Sequence, residues 1–107
     1  AGNHLMNDPT GDRLLPRVVT VEDNPADVRL ITEAIDNAEI ELDLRVINNG
    51  RRAIDRLTSI DSGAPSKHPD LILLDLNLPG GSGFDVLRAV RIETDFAVAV
   101  TLGVESR

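Results

Sequence analysis

Residues 70–80 read DLILLDLNLPG. The four apolar residues between Asp70 and Asp75 form an unbroken run, which is typical of a strand covered on both faces. The following stretch, residues 77–83, carries a proline and three glycines and predicts a loop. A buried strand that ends on a carboxylate and opens into a glycine-rich loop is therefore the central element of the predicted fold.

The chain before this strand predicts another strand and a helix. Residues 17–21 form a β-branched run, RVVTV, that favours a buried strand. Asn24 can cap a helix, and Pro25 at the first helical position loses no hydrogen bond, so a helix is predicted from about Pro25 to about Asn37. Its apolar residues recur at helical spacing: Leu30, Ile31, Ala34, Ile35 and Ala38.

Residues 39–46 alternate strictly between charged and apolar side chains, which is typical of a strand with one solvent-exposed face, as at a sheet edge. The apolar side of this strand would consist of Ile40, Leu42, Leu44 and Val46. A turn follows at residues 48–50. A short second helix would then bury Ala53, Ile54 and Leu57.

Beyond the glycine-rich loop, the pattern predicts a third helix and a last strand. Ser82 is placed to cap this helix, with Asp85 three residues on in capping-box position. Residues 96–100 predict the strand, which ends at Thr101. His68 has no second histidine at ligand spacing and is predicted to be exposed. The buried stripe of the third helix would consist of Phe84, Leu87 and Val90.

The predicted strands alternate with helices along the whole chain. This order implies an α/β fold with a parallel sheet, flanked by helices and joined by right-handed crossovers. Ligands of such folds lie beyond the carboxyl ends of the strands. The residues that follow each strand are therefore the candidates for function.

Carboxylates follow two of the predicted strands. Glu22 and Asp23 come after the first strand, and Asp75 ends the third. If these strands are neighbours, the like charges repel one another, and a divalent cation such as Mg²⁺ relieves the repulsion. Asp23 with Glu22 would hold the ion, and Asp75 would be free to act as a nucleophile, because carboxylates form aspartyl phosphates. Thr101 is placed to donate its hydroxyl to a phosphoryl oxygen.

Two motifs carry a family resemblance. Residues 21–27, VEDNPAD, and residues 70–80, with Gly83 after them, strongly resemble the receiver domain of two-component response regulators. The motifs look most similar to those of stand-alone receivers paired with phytochrome-like or archaeal histidine kinases. The resemblance covers about residues 17–92.

The resemblance implies a flavodoxin-like fold with a parallel sheet of strand order 2-1-3-4-5. Asp75 would be the phosphoacceptor, receiving a phosphoryl group from a sensor histidine kinase or a phosphotransfer protein. Glu22, Asp23 and Asp75 would bind Mg²⁺ together with the backbone carbonyl of Asn77. Thr101 would match the switch hydroxyl at the end of the fourth strand.

The sequence departs from the family pattern near its C-terminus. Receivers continue past the fourth strand with a helix, a fifth strand ending in a lysine, and a last helix, whereas this sequence stops at Arg107. We therefore expect a single incomplete receiver over residues 17–107, after a flexible tail at residues 1–16, part of which we interpret as a cloning remnant. Lys67 precedes the third strand, so it lies at the wrong end of the sheet to replace the family lysine. An unpaired fourth-strand edge is expected to favour a homodimer or a domain swap.

Three functions compete at this point. The favoured one is a phosphoacceptor signalling module that is not a multiple-turnover enzyme. The second is a phosphorylation-independent pseudo-receiver that acts by binding partners, which the missing lysine favours and the intact carboxylates oppose. The third is a haloacid-dehalogenase-type phosphatase, but that family needs a second aspartate and then a threonine or valine where this chain has Asn77 and Pro79.

Composition excludes several other classes. A length of 107 residues argues for one domain, and the absence of cysteine rules out disulfides and thiolate metal sites. The net charge of −7 disfavours binding to nucleic acid or acidic lipid, because both are polyanions. No apolar run approaches the roughly 20 residues of a membrane span, and we expect a cytoplasmic protein.

Overall fold

A computed structural model describes residues 15–60 and 68–102 of the chain. Most of the predicted tail at residues 1–16 falls outside these ranges, as do Lys67 and the last five residues of the sequence.

The described residues form one four-stranded parallel sheet. Its strands are β1 (Arg17–Val21), β2 (Asp43–Ile47), β3 (Leu71–Asp75) and β4 (Val98–Thr101). The spatial order is β2-β1-β3-β4, and every neighbouring pair is parallel. The predicted α/β fold is confirmed, and the order agrees with the first four strands of the order 2-1-3-4-5.

Within the described ranges, three α-helices lie between the strands: α1 (Pro25–Asn37), α2 (Gly50–Thr58) and α3 (Ser82–Glu93). The Asn24 side chain accepts a hydrogen bond of 2.9 Å from the backbone N–H of Ala26, as its predicted capping role requires. The Asn49 side chain caps α2 in the same way by accepting from the N–H of Arg52 at 2.9 Å. A 3-10 turn, Pro79–Gly81, leads into α3.

The core lies between one face of the sheet and helices α2 and α3. Ile72 and Leu74 of β3 are fully buried on this face, beside Val19 and Val21 of β1. Leu71 and Leu73 point to the opposite face and are only half-buried, so β3 is less completely covered than its apolar run predicts. None of the residues of α1 is buried. The core cluster consists of Val19, Val21, Ile47, Ala53, Leu57, Ile72, Leu74, Leu78, Val86 and Val90.

The second strand begins later than its alternating pattern predicts. It starts at Asp43 instead of residue 39, because the end of α1 holds the intervening backbone. The N–H groups of Glu39 and Ile40 donate to carbonyls of α1, and Glu39 adopts a positive φ of 58°. Ile40 and Val46 are exposed, whereas Ile47, beyond the predicted strand, is buried.

The face of α3 that is buried differs from the predicted one. Its buried residues are Gly83, Val86 and Val90, and Phe84 is 55% exposed. The predicted capping box is wrong, because Ser82 already belongs to the helix and its hydroxyl donates to the carbonyl of Pro79 at 3.0 Å.

The predicted exposure of His68 is also wrong. Its ring is half-buried and meets the ring of Phe96 edge-on, with centroids 5.2 Å apart and planes at 61°. Phe96 precedes β4 instead of starting it, and it packs against the core. Among the described residues, no helix is long and apolar enough to cross a membrane.

Two helical leucines test where the core lies. Leu57 of α2 is 2% exposed and Leu30 of α1 is 53% exposed. We expect Leu57→Ala to lower the free energy of unfolding by about 2–5 kcal/mol, because it leaves a cavity. Leu30→Ala, the matched control, should change it by less than about 0.5 kcal/mol. Urea unfolding of both variants measures this, and equal losses would contradict the assignment of the core.

Candidate functional site

Three carboxylates gather at the carboxyl ends of β1 and β3. Glu22, Asp23 and Asp75 each place an oxygen within 4.8 Å of the others. Glu22 and Asp75 are each 5% exposed, whereas Asp23 is exposed to solvent. The predicted convergence of these side chains is confirmed, because β1 and β3 are neighbours in the sheet.

Backbone hydrogen bonds hold two of these residues in place. The N–H of Glu22 donates to the carbonyl of Ile47 at the end of β2, at 3.0 Å. The Glu22 carboxylate in turn accepts from the N–H of Asn24 at 3.2 Å. The Asp75 carboxylate accepts from the N–H of Asn77 at 2.8 Å.

Burial, together with the neighbouring carboxylates, perturbs the ionisation of Glu22. Burial raises the pKa of its carboxyl group from an ordinary 4.5 to about 7. The hydrogen bond from the Asn24 N–H opposes this shift, while the charge of Asp75, a side-chain hydrogen bond with Asp75 and the charge of Asp27 add to it. A cation bound beside these carboxylates would favour the ionised form of Glu22 and would reduce the repulsion between the negative charges.

The donor set suits a hard divalent cation. The three residues each offer one carboxylate oxygen, and solvent reaches the cluster at the exposed Asp23. Mg²⁺ prefers few protein carboxylates and keeps several waters, so this incomplete oxygen shell fits it.

Thr101 and Asn77 lie beside the carboxylates. Thr101 is the residue of β4 in register with Asp75 of β3, and its carbonyl accepts from the N–H of Leu76 at 2.8 Å. Asn77 is tied to both sides of the site, since its N–H bonds to Asp75 and its side-chain amide donates to the carbonyl of Leu102. The structure therefore brings all five predicted site residues together at the carboxyl ends of β1, β3 and β4.

Gly83 contributes to the site through the space that it leaves free. A Cβ atom there would lie 2.6 Å from the carbonyl oxygen of Asp75 and 2.8 Å from the Cα of Leu76. Both atoms belong to the backbone and cannot move aside cheaply, so only glycine allows α3 to approach β3 this closely. Sequence reasoning identified Gly83 as part of a motif and Asn24 as a helix cap. It did not predict the close approach of Gly83 to the backbone of Asp75, or the hydrogen bond from the Asn24 N–H to the Glu22 carboxylate.

A comparison with protein families identifies the family to which this chain belongs. The family model of the response regulator receiver domain matches residues 18–104. The chain belongs to this family. This membership confirms the resemblance seen in the two motifs and favours it over the haloacid-dehalogenase interpretation.

Curated relatives of this receiver are longer response regulators. Response regulator Rcp1 of Synechocystis is 37% identical over 81 residues, which are 75% of this chain and 55% of Rcp1. The DNA-binding response regulator MtrA of Mycolicibacterium smegmatis is 30% identical over 105 residues, which are 89% of this chain and 42% of MtrA. The chain thus spans about half the length of these two relatives.

Solved structures of response regulators share the fold. Phosphorylated RcpA, a cyanobacterial phytochrome response regulator, is 34% identical with a TM-score of 0.66, covering 83% of this chain and 68% of RcpA. The Mn²⁺-bound form of Rcp1 is 33% identical with a TM-score of 0.64, covering 84% of this chain and 68% of Rcp1. Related receivers therefore include a phosphorylated protein and one that holds a divalent metal.

The raised pKa of Glu22 predicts how stability depends on pH in metal-free protein. Between pH 4.5 and about 7 the folded chain keeps a proton that the unfolded chain has lost. The free energy of unfolding should therefore fall as the pH rises through this window and level off above it. Urea unfolding with a chelator at several pH values measures the slope.

Two variants test whether Glu22 causes this dependence of stability on pH. Glu22→Gln cannot ionise, so it should lose this contribution to the slope. Asp36→Asn removes an exposed carboxylate at the end of α1 and should keep it. A slope that is unchanged in Glu22→Gln would contradict the assignment. Mg²⁺ should stabilise the unsubstituted protein most above pH 7, where Glu22 is ionised.

Proposed function

We propose that this chain is a phosphoacceptor module of a two-component system. Asp75 accepts a phosphoryl group from a phosphohistidine of a sensor histidine kinase or a phosphotransfer protein. Glu22, Asp23, Asp75 and the backbone carbonyl of Asn77 hold Mg²⁺. The observation that carries this proposal is the convergence of three carboxylates on one point at the ends of adjacent strands.

The chemistry is an in-line phosphoryl transfer. An oxygen of the Asp75 carboxylate forms a bond to phosphorus, and the bond from phosphorus to the histidine nitrogen breaks, with its electron pair left on the imidazole. Mg²⁺ held by Glu22, Asp23 and Asp75 would neutralise charge on the phosphoryl oxygens. The hydrogen bond from the Asn77 N–H, at 2.8 Å, fixes the orientation of the Asp75 carboxylate before the attack.

Thr101 serves as the switch hydroxyl in this proposal. It is exposed and stands in register with Asp75 on the neighbouring strand, close to where the phosphoryl group would be attached. A hydroxyl there can donate a hydrogen bond to a phosphoryl oxygen. Phosphorylation would then change the hydrogen bonds at the end of β4. The module acts once per phosphorylation in the cytoplasm, where the kinase domain supplies the phosphoryl group, and is not a multiple-turnover enzyme.

Phosphorylation can be tested without knowing the kinase. The chain is incubated with acetyl phosphate and Mg²⁺, and its intact mass is measured. We expect a gain of one phosphoryl group that is lost in Asp75→Asn, because an amide does not form the acyl phosphate. Asp23→Asn should slow the gain by weakening the hold on the ion. Asp36→Asn removes an equal charge from an exposed position of α1 and should react normally.

The controls separate a failed acceptor from a failed fold. Circular dichroism of each variant shows whether the protein is folded. A gain that persists in Asp75→Asn, or one that needs no Mg²⁺, would contradict the proposal. No gain in the folded, unsubstituted protein would favour the phosphorylation-independent interaction module.

We also propose that β4 contacts a second copy of the chain, as a homodimer or a domain swap. Within the described residues β4 pairs only with β3, so its outer edge has no strand beside it. Val100 of β4 is 46% exposed, and Leu102, directly after the strand, is 69% exposed. Free strand edges that carry apolar side chains favour association.

Two edge valines test this contact. Val100 lies on β4, and Val46, which is also exposed, lies on β2 at the opposite edge of the sheet. We expect the chain to associate as its concentration rises and Val100→Lys to prevent this, because a buried ammonium at the interface is unfavourable. Val46→Lys should associate normally. Light scattering after size exclusion measures the mass, and a monomer at all concentrations would contradict the proposal.

A further inference from the structure

A second candidate site lies on the core-side face of the sheet, between α2 and strands β1 and β2. Among the described residues, a cleft of about 610 Å³ opens there. Its floor is apolar and rigid, since Val19, Ile47 and Leu57 are all buried members of the core. A cleft of this size falls within the range of small-molecule sites.

Three arginines line the cleft: Arg17, Arg45 and Arg56. Asp43 partly neutralises them, with a carboxylate oxygen 2.9 Å from the Nε of Arg45 and the other 3.9 Å from the Nε of Arg17. The Asp70 carboxylate also lies next to Arg17 and accepts from its backbone N–H at 2.7 Å. Within the described part of the chain, Arg56 forms no ion pair. The three arginines of the cleft therefore outnumber Asp43 and Asp70, on a chain whose net charge is −7.

The Arg17 end of the cleft is distant from the carboxylate cluster, whereas Ile47 of its floor lies next to Glu22. Arg17 and Asp43 form the first register pair of β1 and β2, whereas Val21 and Ile47 form the last, next to Glu22. The two pairs lie four residue steps apart along the strands, which is about 13 Å. The arginines therefore face a different region of the molecule and take no part in the proposed phosphoryl transfer.

From this combination we infer that the cleft binds a small organic anion. The guanidinium groups would hold a carboxylate or phosphate group, which they can bind through two parallel hydrogen bonds. The apolar part of the ligand would lie on Val19, Ile47 and Leu57. Two classes share this chemistry, phosphate esters such as nucleotides and apolar carboxylates, and both are tested directly.

Binding is measured on the full chain labelled with ¹⁵N, using AMP as the phosphate ester and decanoate as the carboxylate. We expect saturable shifts at the amides of Val19, Ile47 and Leu57 for at least one probe, with a Kd of about 1 mM or tighter. The tighter probe identifies the class. Asp75→Asn should bind equally well, so the result is independent of the phosphoacceptor proposal.

Substitutions locate the anion contact. Arg45→Gln and Arg56→Gln should each raise the Kd at least about tenfold, because each removes a charged hydrogen-bond donor. The Arg45 side chain is 67% exposed, so its loss leaves the core intact. Arg91→Gln removes the same charge from an exposed position of α3 and should leave the Kd unchanged.

Three results would overturn the inference. The first is the absence of saturable shifts with both probes in the unsubstituted chain, a measurement that does not depend on whether any variant folds. The second is an equal Kd in the arginine variants and in Arg91→Gln. The third is binding of inorganic phosphate as tight as that of either probe, since the apolar floor would then contribute nothing.

Discussion

The parallel pairing of β1 with β3 is the constraint on which the site depends. Val21 stands in register with Leu74, and both side chains are completely buried. The next residues along the two strands, Glu22 and Asp75, must therefore emerge side by side, although their charges repel. Burial of apolar side chains supplies the free energy that holds them together. The pKa of Glu22 is raised mainly by its own burial, and the charge of Asp75 adds to the shift. A divalent cation would turn this unfavourable cluster into a favourable one.

The connection after β3 links this cluster to α3 and β4. Gly83 lets α3 approach the backbone of Asp75 without a clash, so the helix begins directly beside the site. Asn77 links the loop to the end of β4 through the carbonyl of Leu102, and the register of β4 sets Thr101 opposite Asp75. A change of hydrogen bonding at Asp75 can therefore reach β4 through two contacts, which supports the proposed role of Thr101 in signalling.

Local patterns failed where a residue's contacts lay outside the pattern itself. The alternation at residues 39–46 predicted a strand, but hydrogen bonds from Glu39 and Ile40 to the end of α1 delay its start. Helical spacing alone allowed Phe84 as a buried residue, whereas the close approach at Gly83 turns the helix so that Val86 faces the core. The contact of His68 with Phe96 joins residues far apart in sequence, and no local pattern carries that information.

The sequence by itself determined the class of fold, the first and third strands, the start of α1 and the residues of the candidate site. It could do so because runs of apolar residues, helix caps and carboxylates at strand ends are local signals that each depend on a few neighbouring residues. Only the tertiary structure decided that the carboxylates lie within 4.8 Å of one another, that α2 and α3 cover one face of the sheet, and that three arginines share one cleft. These features depend on strand register and helix rotation, which are set by packing between segments distant in the chain.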